Sequence, residues 1–189
     1  MDHLDLSALE AGLPHIGASP ADDGTLDLIV RRPHVDGREV LEVGELDIEV
    51  GLVGDTWAVR PSSRMPDGTA HPDMQLNVMN SRVVELLAQD PDGWALAGDQ
   101  LYVDLDLSAA NLPTGTQLSL GDAVIEVTDQ PHTGCSKFSA RFGGDALRFV
   151  NSAIGKELRL RGLNARVITP GTIRRGDRVA RVVGDPMIV

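Results

Sequence analysis

The residues most able to do chemistry lie around the single cysteine of the chain. Cys135 follows residues 131–134 and precedes Lys137 and Arg141, with His132 three residues before it. A lone thiol cannot form an internal disulfide and cannot by itself make a structural zinc site. Thiol chemistry proceeds through the thiolate, which nearby positive charge and a helix N-terminus both favour. Cys135 is therefore either a small buried residue or a reactive thiol, and the Gly, Ser and Pro residues around it indicate a loop between a strand and a helix.

The charges of the chain are divided unevenly along its length. The formal net charge is -11, but residues 1–130 contain 6 Lys and Arg against 24 Asp and Glu, whereas residues 131–189 contain 11 against 4. Such an acidic chain is a poor candidate for nucleic-acid binding, because phosphate neutralisation supplies most non-specific affinity. The basic segment beside the thiol favours a small anionic ligand. The alternative is that its arginines are solvated surface charges that pair with the acidic part.

Length and composition predict one globular domain over residues 25–189, preceded by an N-terminal arm over residues 1–24. The chain has 189 residues and is 42% hydrophobic, and the periodicity of its first 24 residues is weak. No run approaches the ~20 apolar residues of a membrane span, and the start lacks the pattern of a signal peptide. We therefore expect a cytoplasmic protein without membrane contact, which agrees with a single reduced cysteine.

Alternation of apolar and polar residues predicts short strands at residues 26–30, 46–50, 101–107, 123–127, 165–168 and 178–183. Between them, Gly-Asp and Pro-x-Gly sequences favour tight corners, because Gly accepts positive φ and Asp can bond to its own backbone. Helical spacing predicts helices over residues 78–88 and 145–152, the second capped by Gly155. Many short strands with tight corners predict a mainly β fold, a distorted closed β-barrel with a few short helices.

Six segments of the chain, taken in order, resemble the MOSC family, the domains similar to the C-terminal part of molybdenum-cofactor sulfurases. The resemblance spans residues 50–183, and its segments are residues 98–108, 112–115, 120–128, 135–138, 161–167 and 171–177. It implies a distorted barrel similar to that of pyruvate kinase, and a Cys135 that carries a persulfide or ligates molybdenum. The usual Gly-Asp-Asn-Leu of the family is Gly98-Asp99-Gln100-Leu101 here, an amide-for-amide change.

The resemblance also implies a ligand, the molybdenum cofactor. Molybdopterin carries a phosphate and a dithiolene, so its pocket needs cationic donors and, where the protein ligates the metal, one thiolate. Cys135 is the expected metal ligand, and the expected anion contacts are Lys137, Arg141 and Arg161. We expect that replacement of Arg161 by Ala removes anion binding and leaves the fold intact. The chain has no room for the pyridoxal-phosphate desulfurase domain of the full sulfurases, so a persulfide would have to come from another protein.

Two further residues have alternative roles. Asp99 is either a turn residue or faces the mouth of the pocket. His132 is either a loop histidine or a group that tunes the thiol or transfers a proton. Three functions follow: a molybdenum-dependent reductase of N-hydroxylated compounds that needs an electron-transfer protein, a carrier of sulfur or cofactor that needs a sulfur donor, and a non-catalytic barrel that binds an anion or a partner and has an unreactive thiol.

Overall fold

The computed structural model describes residues 3–182, so the end of the strand predicted at 178–183 lies outside the described residues. Within this range the strands are β1 (Gly24–Arg31), β2 (Glu39–Leu41), β3 (Val43–Asp47), β4 (Gly51–Leu52), β5 (Leu76–Asn80), β6 (Leu101–Asp104), β7 (Gln117–Leu120), β8 (Ala123–Val127), β9 (Leu163–Thr169), β10 (Gly171–Arg174) and β11 (Arg178–Arg181). The α-helices are α1 (Leu6–Ala11), α2 (Leu13–Gly17), α3 (Ser81–Ala88), α4 (Ser136–Asn151) and α5 (Ala153–Glu157). Short 3-10 helices cover Trp57–Val59, Pro72–Met74 and Pro91–Ala97.

Seven of the described strands close into a barrel. Their order is β1-β11-β7-β8-β9-β5-β6, and β6 pairs with β1 to complete the ring. The neighbours are antiparallel except β5 and β6, which are parallel and are connected through α3. β2 lies beside β1, while β10, β3 and β4 form a separate sheet. The prediction of a distorted closed barrel with a few short helices is confirmed, although helices occupy about 29% of the chain and strands about 28%.

Strand β1 contributes to two hydrophobic cores because a β-bulge shifts its alternation. Leu26 and Ile29 belong to the cluster inside the barrel, whereas Leu28 and Val30 belong to a second cluster between the barrel wall and the helices. The register of β1 against β6 shifts between Leu26 and Leu28. A shift of one residue moves the following side chains to the opposite face of a strand. The barrel is thus filled inside, and α1, α3 and α4 cover part of its outer wall.

The N-terminal segment is more ordered than the arm that weak periodicity indicates. It forms α1 and α2, and each helix buries one apolar side chain, Leu9 or Ile16, in the outer cluster. Asp5 caps α1 by accepting a hydrogen bond from the backbone N–H of Ala8 at 2.8 Å. One buried residue per helix is too few to produce a helical period, so the sequence pattern gave no signal here.

The two longer helices start elsewhere than the sequence predicts. Helix α3 begins after Asn80, whose side chain accepts two backbone N–H bonds of the first turn at 2.8 and 3.2 Å. The preceding residues form β5 instead. Helix α4 begins directly after Cys135 and is interrupted at Gly143, where φ is 91°. Gly155, the predicted cap, lies inside α5. None of the helices among residues 3–182 is both long and apolar enough to cross a membrane.

Candidate functional site

Cys135 is the N-cap residue of α4 and is exposed to solvent. The exposure excludes the alternative of a small residue buried in the core. The loop before it is held to its own helix, because the Asn151 side chain accepts from the N–H of Gly134 at 2.9 Å and donates to its carbonyl at 3.1 Å. Cys135 lines a cavity of about 380 Å³, which we call the thiol cavity.

Cationic side chains from distant parts of the chain line the thiol cavity together with Cys135. They are Arg32, Arg38, Arg60, Lys137, Arg141 and Arg161. The structure therefore brings the three predicted anion contacts together with the thiol. The other three arginines come from residues 1–130, the acidic part of the sequence, and were not predicted as site residues. Arg32 and Arg38 are held there by hydrogen bonds to the carbonyls of Gly98 at 3.0 Å and Ala95 at 3.1 Å. Arg60 follows the segment in which the N–H of Thr56 donates to the carbonyl of Arg32 at 3.0 Å.

Arg161 is almost fully buried in the wall of the thiol cavity. Its side chain is 9% exposed, and its terminal nitrogens donate to both oxygens of Asp99, at 2.9 and 2.7 Å, and to the carbonyl of Ala97 at 3.1 Å. The guanidinium group lies over the ring of Phe138, 4.9 Å from its centre. Its Nε is buried and has no hydrogen-bond partner within residues 3–182. A buried donor without an acceptor costs free energy, so this group would gain from an acceptor that a bound ligand brought within reach.

Asp99 holds Arg161 in place and does not face the cavity mouth. It is 0% exposed and also binds Nε2 of His132 at 2.8 Å. Burial by itself would raise the pKa of the Asp99 carboxyl, but the charge of Arg161 and the contact with His132 overcome this and lower it. The hypothesis that Asp99 faces the cavity mouth is wrong, because Arg161 and His132 surround the carboxylate.

His132 acts on the thiol cavity only through Asp99. Its ring lines a different cavity of about 420 Å³, and among the described residues it is not part of the wall around Cys135. Burial and the charge of Arg161 lower the pKa of His132 below its usual value of 6.5, so the ring is neutral at pH 7. Since an ionised carboxylate can only accept a hydrogen bond, Nε2 of the neutral ring carries the hydrogen and donates a hydrogen bond to Asp99. This geometry makes His132 a positioning residue instead of a direct partner of the thiol.

A second buried ion pair fixes Arg32 in the same wall. Its Nε and one terminal nitrogen donate to the two oxygens of Asp55, each at 2.8 Å. Its other terminal nitrogen donates to the side chain of Asn77 at 3.1 Å and to the carbonyl of Gly98 at 3.0 Å. Burial opposes the ionisation of Asp55, but the hydrogen bonds from Arg32 lower the pKa of its carboxyl. Arg32 is therefore a fixed part of the cavity wall.

Two guanidinium groups converge on Gly98, which has a φ of 92°. A Cβ at this position would lie 3.3 Å from a terminal nitrogen of Arg38 and 3.5 Å from one of Arg141. Burial, followed by the like charges of Arg141 and Arg32, lowers the pKa of Arg38. The absence of a side chain at Gly98 thus leaves space next to two guanidinium groups that repel each other. An anion in that space would offset the repulsion.

The thiol cavity remains positive after its carboxylates are counted. Asp36 is the carboxylate in its described lining, and it contacts Lys137 at 3.6 Å and Arg141 at 3.3 Å. Asp55 and Asp99 lie behind the wall. Six cations therefore face three carboxylates in a chain whose net charge is -11. A cavity of this size and charge suits a small organic anion.

A closed barrel with an exposed thiol in a cationic cavity is the arrangement that the resemblance to the MOSC family predicts. The family model described as "MOSC domain" matches residues 68–180, and the chain belongs to this family. MOSC domains are linked to molybdenum-cofactor binding or to sulfur-related functions. The match contains the thiol and the cations of α4, but it begins after Arg32, Arg38 and Arg60.

Solved structures show the same fold. The YuaD protein of Bacillus subtilis is 15% identical, with a TM-score of 0.60 over 82% of this chain and 93% of that chain. YiiM of Escherichia coli is 22% identical, with a TM-score of 0.54 over 85% of this chain and 71% of that chain. YiiM of Geobacillus stearothermophilus is 18% identical, with a TM-score of 0.52 over 85% and 75%. No curated protein matches the chain.

Proposed function

We propose that this cytoplasmic protein binds the molybdenum cofactor in the thiol cavity and that Cys135 is the protein ligand of molybdenum. The observation that supports the proposal is the convergence of an exposed thiol and six cationic side chains on one cavity. A thiolate is a soft ligand suited to a metal that a dithiolene already holds, and guanidinium groups match the geometry of phosphate oxygens. The family membership points to the same ligand.

The residues present fit this cofactor. The buried Nε of Arg161 lacks an acceptor among the described residues, and Gly98 leaves space between Arg38 and Arg141. We assign the phosphate to Arg38 and Arg141 and the metal to Cys135. Asp99 and His132 would take no part in ligation, because they are behind Arg161 and hold its guanidinium group in place.

The cofactor, when bound, would supply two-electron redox chemistry, and a reductase of N-hydroxylated compounds would receive its electrons from a separate electron-transfer protein. The chain itself would bind the cofactor, orient it and keep the cavity positive. Asp55 and Asp99 fix Arg32 and Arg161 before any ligand arrives, so little side-chain ordering would be needed on binding.

The second candidate function is sulfur transfer, and the exposure of Cys135 favours it. A donor protein must bring its persulfide into contact with the Cys135 sulfur. The thiolate of Cys135 would then take the outer sulfur, and the sulfur–sulfur bond of the donor would break to release the donor thiolate. Exposure at the start of α4 leaves the cysteine accessible to such a partner.

Metal and pterin analysis of protein purified from a host that makes the cofactor separates these functions. We expect molybdenum and pterin in equal amounts in the wild type. Cys135→Ser should lower the content of molybdenum and pterin together, because the dithiolene of the pterin holds the metal, and Arg38→Ala combined with Arg141→Ala should lose both. Arg148→Ala serves as the control, because it removes an exposed cation of α4, the helix that carries Arg141.

The alternatives give different results in the same preparation. Protein without molybdenum that acquires cyanide-labile sulfur on Cys135 after incubation with a cysteine desulfurase would be a sulfur carrier. Protein with neither molybdenum nor labile sulfur would contradict both functions and leave the non-catalytic, anion-binding barrel.

A further inference from the structure

A second cavity of about 270 Å³ adjoins the thiol cavity. Arg32, Arg60 and Asn77 line both cavities, so the two share a wall. The remaining residues of its wall come from the loop after β4 and from the segment before β5: Trp57, Pro61, Ser62, Ser63, Arg64, His71 and Met74. We call this space the loop cavity. Its loop residues precede residues 68–180, the segment that the family model matches.

The residues that line the loop cavity carry positive charge that carboxylates balance only in part. Its described lining contains three arginines, one histidine and no carboxylate. The charge of Arg32 is matched by Asp55, but neither Arg60 nor Arg64 forms an ion pair within residues 3–182. Arg60 donates to the hydroxyl of Thr56 at 3.0 Å, and Arg64 donates to the amide oxygen of Gln130 at 2.9 Å.

Nine of the fifteen arginines among residues 3–182 form an ion pair with a carboxylate, and Arg60 and Arg64 are among the six that do not. Arg60 is exposed and lines the loop cavity together with Arg32, so the two like charges face the same space. Two arginines with neutral partners beside a third arginine form a site that an anion stabilises.

An apolar surface completes the loop cavity. The half-buried side chains of Trp57 and Met74 form it together with Pro61. The backbone N–H of Trp57 donates at 2.9 Å to Asp55, the carboxylate that also binds Arg32. The buried Asp55 carboxylate therefore fixes both Arg32 and the backbone of Trp57. A ligand with an apolar body and an anionic group would contact both walls.

We propose that the loop cavity binds the anionic group of a small organic substrate, a carboxylate or a phosphate, whose other end reaches the thiol cavity past Arg32 and Asn77. The proposal rests on the proposed function, since it assigns a substrate class to that site. Arg60 and Arg64 are the selecting residues, and Trp57 supplies the apolar contact. An uncharged compound would leave both arginines with the neutral partners that they already have.

Fluorescence of Trp57 tests the proposal directly. The chain has two tryptophans, and Trp94→Phe leaves Trp57 as the sole reporter. This change is mild, because the indole nitrogen of Trp94 has no partner in the described chain and the hydrogen bond from Tyr102 goes to its backbone carbonyl. We expect a saturable change in Trp57 fluorescence with phenyl phosphate or with benzoate, and none with benzyl alcohol. The tighter of the two anions identifies the preferred group. An equal response to benzyl alcohol overturns the proposal.

Matched double variants separate the site from general electrostatics. Arg60→Gln with Arg64→Gln should weaken binding of the better anion at least about tenfold, because each removes a charge-assisted hydrogen bond. Arg148→Gln with Arg178→Gln removes the same charge from exposed positions that pair with Asp145 and Asp23, and should leave binding unchanged. Equal losses in the two double variants overturn the proposal.

The same titration distinguishes a failure of this inference from a failure of the proposed function. It is run on protein from a host that makes the molybdenum cofactor and on protein from a host that does not. If protein from neither host contains molybdenum but both preparations bind the anion, the loop cavity is an anion site and the proposed function is refuted. Protein with stoichiometric molybdenum whose Trp57 responds to neither anion overturns the loop cavity alone.

Discussion

Replacement of Arg161 by Ala should destabilise the whole protein, because it leaves the buried Asp99 carboxylate without its main partner. Asp99 is 0% exposed and Arg161 is 9% exposed. Removal of one member of a buried ion pair costs about 3–5 kcal/mol, and the remaining hydrogen bond from His132 favours the lower end. For a chain of this length, about 3 kcal/mol lowers the melting temperature by roughly 6–12 °C.

Urea unfolding followed by circular dichroism measures this cost, with Arg166→Ala as the matched control. Arg161 contacts one carboxylate and Arg166 contacts two, but the side chain of Arg166 is 46% exposed, so its loss should cost less than about 1 kcal/mol. Removal of Asp99 as well as Arg161 should cost less than the sum of the single changes. Equal costs for Arg161→Ala and Arg166→Ala would refute this account of the buried pair. The expectation that Arg161→Ala leaves the fold intact is therefore revised, and Arg38 and Arg141 are the better positions for binding tests.

Two further predictions concern protonation and reactivity. His132 has a lowered pKa in the folded state, so the unfolded state binds its proton first and the free energy of unfolding should fall as the pH drops below about 6.5. His132→Gln should flatten that slope in urea titrations, and an unchanged slope would contradict the assignment. Cys135 should react in the native state, and the dianionic Ellman reagent should gain more than neutral iodoacetamide from the cations of the cavity. Lys137→Ala with Arg141→Ala should reduce that ratio of rates, and a ratio independent of these cations would argue against a positive cavity.

The part of the site that could be predicted from the sequence is the part that is local in the chain. Lys137 and Arg141 follow Cys135 on one helix, so a short segment placed all three together. Arg161 was found from the basic segment and the resemblance. Arg32, Arg38 and Arg60 lie far from the thiol in sequence and reach it through contacts between distant segments, such as the hydrogen bonds of Arg32 to Gly98 and of Arg38 to Ala95. A single sequence shows strands but not which strands are neighbours, so these three could not be placed.

The wrong start predicted for α3 also has a physical cause. Residues 76–80 form β5 with side chains buried on both faces of the strand: Leu76 and Val78 lie in the barrel cluster, and Met79 lies in the outer one. A strand buried on both faces loses the period of two, and its apolar run merges with that of α3. Strand β8, which alternates cleanly, was predicted with its observed bounds.

The cationic lining of the thiol cavity depends on acidic residues that lie behind it. Asp55 and Asp99 each use both carboxylate oxygens to orient an arginine or a histidine from behind the wall. Arg32 and Arg161 are therefore fixed without neutralising carboxylates inside the thiol cavity. The net charge of the chain is -11, so the protein as a whole repels an anionic ligand, which is stabilised where the arginines converge. Selectivity for an anion thus follows from where the carboxylates lie, behind the arginines, as much as from the arginines themselves.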